Sequence, residues 1–218
     1  MAMNLKNLKL DKKTLPPLIA LNFFMAIASN VVDWPWLMSV DWYLMPFAPI
    51  CSLYPLTLAI WFTVYYFRGK APQWLTTFIF IGITSYGVMA YLYFPLLMSW
   101  EGFSWWRVGN MFWVTIYALQ SLIIATKLRP LKLFQYVPVA GYFFFKDFAD
   151  RFLGTFIDVR IPGYPEFFKN FFGVAVLLLH CAAIAAAVKI AAAKKNVPQW
   201  MPVPESVLDP QLQERATE

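Results

Sequence analysis

Tyr142-Phe143-Phe144-Phe145-Lys146-Asp147-Phe148-Ala149-Asp150-Arg151-Phe152-Leu153-Gly154 places four ionisable residues within six positions of an otherwise aromatic and aliphatic run. If the run crosses a bilayer, those charges must face other helices or water, because a lone charge in hydrocarbon is expensive. At helical spacing Lys146 falls beside Asp150 and Asp147 beside Arg151, each pair four residues apart. The cluster is neutral in sum and is expected to pair internally.

Working outward, the rest of the chain favours a membrane. Of 218 residues 60% are hydrophobic and 14% charged, against about 45–50% and about 25% in soluble domains. The excess comes in long apolar runs, at about 15–32, 46–67, 74–98, 108–126, 136–157 and 170–193, the pattern of membrane-spanning helices. Pro46 and Pro49 suit a helix start, whereas Pro55 is expected to kink the first turns of the second run or leave a re-entrant entry.

The basic residues sort by side. Lys6, Lys9, Lys12 and Lys13, then Arg68 and Lys70, then Lys127, Arg129 and Lys132, and finally Lys194 and Lys195 flank alternate ends of the runs. The intervening connections hold only Arg107, Arg160 and Lys169, offset by acids. Positive charge marks the cytoplasmic side. The expectation is therefore an all-α integral protein of the cell membrane, multi-pass, with six transmembrane helices and both termini cytoplasmic. Residues 1–13 form a basic cytoplasmic N-terminus, 14–195 the transmembrane domain and 196–218 a polar cytoplasmic tail. Ala26-Ile27-Ala28 resembles a signal-peptidase site, so a leader cleaved after Ala28 is the competing reading of the first run. The net charge of +6 is dealt out between the runs and reads as topological, with the lipid bilayer as partner and no nucleic acid.

Six of the ten tryptophans, Trp34, Trp36, Trp42, Trp100, Trp105 and Trp106, fall on the outer side of this topology. They read as an interfacial aromatic belt or, more sharply, as a docking surface for a partner. No motif recurs between residues 1–100 and 101–218, so an inverted-repeat transporter has no support.

Chemistry is sparse. Cys51 and Cys181 lie within apolar runs and are expected to be buried free thiols. His180 is the only histidine, so a bis-histidine haem or multi-histidine metal centre is excluded. No nucleophile elbow, zinc motif, Walker loop or dinucleotide fingerprint occurs; no catalytic residue, metal or cofactor is assigned. Gly82 and Gly87 fit close helix packing. The candidates for a proton or ligand site are Asp147, Asp150, Lys146, Arg151 and His180. Against that stand two blander readings: an ion-pair cluster that fixes helix register, and a shorter fifth helix that lifts the charges into headgroups. His180 sits mid-run in the sixth helix at a depth comparable to the cluster. It is either a hydrogen-bonded structural group or a proton shuttle beside Asp147 or Asp150. The alanines from Ala182 to Ala193 ease close helix approach, and Lys189 snorkels to the cytoplasmic interface.

Phe47-Ala48-Pro49-Ile50-Cys51-Ser52-Leu53-Tyr54-Pro55 resembles the helix 2 entry of an uncharacterised family of prokaryotic multi-spanning membrane proteins. Tyr86-Gly87, Asp147-Phe148-Ala149-Asp150 and Gly154-Thr155 are similar to further motifs of that family. Some members are encoded beside menaquinol–cytochrome c reductase, so the resemblance implies a role near quinol respiration. Ile50 stands where that family has an acid, and Arg151 and Phe156 where it has Tyr and His. A proton relay or metal site built from those groups is not expected here.

The reading that follows is a non-enzymatic accessory or partner subunit of a membrane complex, respiratory by the resemblance. The alternatives are a proton-coupled transporter or channel using Asp147 and Asp150, and a membrane-embedded enzyme acting on a lipid or quinone.

Overall fold

Apolar segments with no water nearby must satisfy their backbone groups internally, and the chain does so with helices. The structure, a computed structural model, describes residues 10, 12–48, 50–153, 155 and 165–194, and of Val32, Asp33, Trp36, Ile50 and Cys51 the backbone alone. The expectations for most of the basic N-terminus, for the connection at 156–164 and for the tail at 196–218 lie outside the described residues.

The six helices are α1 (Leu15–Leu37), α2 (Ile50–Arg68), α3 (Gln73–Glu101), α4 (Trp105–Lys127), α5 (Leu133–Phe148) and α6 (Glu166–Ala193), with no strand among the described residues. A short 3-10 turn, Met45–Phe47, precedes α2, and a turn of π-helix, Ala149–Leu153, extends α5. The breaks have local causes. Pro72 and Pro165 cap the starts of α3 and α6. After α2, Gly69 turns to φ +67° and donates its N–H to Tyr65 at 2.8 Å, the left-handed C-terminal stop that glycine adopts without strain. Pro55 sits within the second turn of α2 and does not break it, and α3 continues through Pro95 to Glu101, beyond the expected end of the third run.

Contacts fix the helix directions. Along α3, Trp100, Tyr93 and Ser85 meet Phe168, Phe172 and Leu179 of α6 in reverse order, so the two are antiparallel. Tyr91 and Gly87 likewise meet Thr115 and Ala118 of α4. Gly82 lies under the ring of buried Tyr54, and a β-carbon at Gly87 would sit 2.6 Å from that of Ala118. Both glycines are therefore packing residues, as their setting in an apolar run implied. α3 is the most enclosed of the long helices. A buried amide pair ties α1 to α4: Asn22 Nδ2 donates to Gln120 Oε1 at 2.8 Å, with both residues buried.

The C-terminal ends of α2, α4 and α6 gather at one end of the bundle. Lys127 lies over the Tyr65 ring at 5.2 Å, and Lys194 Nζ donates to Ala125 O. The connections at the other end expose Trp34, Trp42, Trp105 and Trp106; the Trp36 side chain is outside the described residues. Three helices, α3, α4 and α6, are long and apolar enough to cross a membrane. Outward-facing Val174, Leu178 and Val188 give α6 an apolar exterior. Lipid suits such a surface.

Candidate functional site

The polar centre forms where the end of α5 meets the middle of α6. His180 lies 14 residues after Glu166 and 13 before Ala193, so each end of α6 is about 20 Å away. Its Nδ1 is 2.9 Å from Asp147 Oδ2, and the side chains are 5% and 8% exposed. The fully buried Phe143 ring lies against the imidazole, 4.8 Å between centroids, and walls this contact from solvent.

Beside it, Lys146 Nζ donates to Asp150 Oδ2 at 2.6 Å. The other oxygen of Asp150, Oδ1, accepts from Thr155 Oγ1 at 2.6 Å. Lys146 is 2% exposed; so deep an ammonium is tolerable because its carboxylate partner is already fixed by a hydroxyl. Buried Tyr54 of α2 lies within electrostatic range of Asp147 and Asp150, and Tyr142 of α5 within range of Asp150.

The expected Lys146–Asp150 pair forms, and the expected Asp147–Arg151 pair does not. From Ala149 the backbone winds as a π turn, which carries Arg151 out of register with Asp147. Arg151 instead donates to Glu166 Oε1 at 3.3 Å and to Asn170, both on α6. Asp147 is left to His180. The cluster is thus split: one ion pair within the α5 extension, and two cross-links to α6 by different residues. Regular helical spacing could not reveal that division, nor the roles of Thr155, Glu166 and Asn170.

Asp147 Oδ1 is buried and has no hydrogen-bond partner. Buried carboxylate oxygens are nearly always satisfied, and this one is the exception within the centre. With His180 protonated, Lys146, Asp147, Asp150 and His180 sum to zero; with His180 neutral they sum to minus one. The exchange of a single proton therefore changes the charge of a buried site. Among the described residues no group of three His, Cys, Asp or Glu side chains gathers to hold a metal ion. A groove of about 360 Å³ is lined by Ile27, Asn30, Val31 and Trp34, all of α1, and by no member of this centre. Cys181 corrects another expectation: the thiol is free, but its residue is exposed, because it lies off the face of α6 that buries His180, Ala183, Ala187 and Ala191.

Fold and surface define an all-helical protein with three candidate spans and apolar faces suited to lipid. No family model, no curated protein and no solved structure matches the chain, so the resemblance described above rests on its short motifs alone.

Proposed function

We propose that the chain is a six-span protein of the cell membrane with both termini cytoplasmic, and that Asp147 and His180 form a proton-binding centre near mid-bilayer for proton conduction. One observation carries this reading: a buried carboxylate–imidazole contact halfway along an apolar helix, with the second carboxylate oxygen unpartnered. Ionisable groups at such depth mark proton and ligand paths. Histidine is the side chain whose charge changes most readily near neutral pH. The gathering of Arg68, Lys127, Lys132 and Lys194 at the helix ends supports the orientation. In this scheme proton gain or loss at Asp147–His180 alters the attraction between α5 and α6, while Lys146–Asp150 holds the α5 extension in register.

Purified protein in liposomes loaded with a pH-sensitive dye tests it. Proton flux is expected from the native chain and should fall at least tenfold in Asp147→Asn, whose folding is checked by helical content and gel filtration. Equal flux in both preparations would refute the proposal.

A second reading is supported by the aromatic end, where Trp42 is 80% and Trp105 79% exposed, with Phe103 and Trp106 close behind. In it the chain is a partner subunit of a membrane complex, of the quinol-linked kind the resemblance implies. Extraction in mild detergent from the native host should then retain a membrane partner. A monodisperse monomer counts against it.

A further inference from the structure

Three cations meet at the basic end of the bundle. Arg129 follows α4 and is 7% exposed; its Nη1 donates to the neighbouring carbonyl of Leu128 at 2.9 Å, and its Nε is buried with no partner. Lys194, just beyond α6, is 2% exposed and spends one N–H on Ala125 O in the last turn of α4. Lys127, in that same turn, lies over the Tyr65 ring. Among the described residues none of the three pairs with an acid. Burial, followed by Arg129 and Lys127, pushes the Lys194 ammonium down to about 8, and burial lowers Arg129 as well. The carbonyl ends of α4 and α6 offset only part of this charge.

Buried cations without a counter-charge are costly, and a guanidinium with a free N–H beside two ammoniums matches the oxygens of a phosphate. We infer that Lys127, Arg129 and Lys194 form a binding site for a phosphate group, supplied by the headgroup of an anionic phospholipid at the cytoplasmic surface. The lipid source rests on the orientation proposed above. The site shares no residue with the α5–α6 centre, so the loss of either leaves the other standing.

Thermal unfolding of the full chain in neutral detergent tests this. Three additions are compared: phosphatidylglycerol, phosphatidylcholine and inorganic phosphate. Phosphatidylglycerol near saturation is expected to raise Tm by about 5 °C, with no comparable effect of phosphatidylcholine, and Arg129→Gln should abolish the rise. If inorganic phosphate gives the same saturable rise, the site stands and its source is the free anion. Should Arg129→Gln fail to fold, Lys127→Gln serves instead, and should weaken phosphatidylglycerol binding about fivefold, the equivalent of about 1 kcal/mol for one basic group. Equal shifts with both lipids, or an undiminished phosphatidylglycerol response in the folded variant, would overturn the inference.

Discussion

Two of the buried polar junctions between helices differ in kind. Between α1 and α4, Asn22 and Gln120 exchange amide hydrogen bonds at 2.8 and 3.5 Å. Each also donates to a carbonyl in its own helix, Leu18 and Ile116. That junction carries no charge at any pH. Between α5 and α6 the corresponding place is filled by Lys146, Asp147, Asp150 and His180, with a carboxylate oxygen left over. A neutral pair suffices to tie two helices together. Burying charges costs more than burying amides, and at the α5–α6 contact one carboxylate oxygen keeps no partner.

The largest expected effect breaks the charged junction. Lys146→Met leaves the Asp150 carboxylate uncompensated and should cost about 3–5 kcal/mol in reversible unfolding from detergent micelles. Adding Asp150→Asn to it should recover much of that loss. If the two losses simply add, Lys146 and Asp150 are not coupled. At the neutral junction, Asn22→Ala should cost about 1–3 kcal/mol, chiefly through the stranded Gln120 amide. A double-mutant cycle with Gln120→Ala should give a coupling of about 0.6–1.7 kcal/mol. A coupling as large as that at Lys146 would erase the distinction between the junctions.

Smaller in stability but sharper in function is Asp147→Asn. The amide keeps the shape and a hydrogen-bonding oxygen, so unfolding should shift by less than about 1.5 kcal/mol, while proton flux falls at least tenfold. The smallest effect belongs to the basic end. Lys194 has its folded value lowered to about 8 from 10.5, so between those values the unfolded chain binds more protons than the folded one. Stability therefore rises with pH across that window in anion-free detergent. The groups facing Lys194 are Arg129 and Lys127, both of which oppose its protonation. Lys194→Met should flatten this rise, as a pH series of melting temperatures will show.

Much of the helical order was legible because long apolar runs admit few other conformations, and the runs at 74–98, 108–126 and 170–193 match α3, α4 and α6 closely. The Lys146–Asp150 pair was legible from a spacing of four. Asp147–Arg151 carried the same spacing and misled, because spacing assumes an α-helix and the π turn at Ala149–Leu153 rewinds it. His180 was traceable to Asp147 only through a similar depth in a neighbouring helix. Asn22–Gln120 was not legible as a pair: two isolated amides 98 positions apart share no pattern until α1 and α4 meet. Arg129 and Lys194 counted toward topology, but nothing in the chain order showed that both would be buried together.

His180 is the only histidine in the chain, so isotopic labelling of histidine yields one imidazole, free of overlap. Its ring-nitrogen NMR signals, followed across pH in nanodiscs for the native protein and for Asp147→Asn, test the central claim most directly. A Nδ1 signal shifted by a carboxylate hydrogen bond in the native protein, and displaced in the variant, is the expected result. An imidazole with the signals of a free side chain, unchanged by Asp147→Asn, would contradict it.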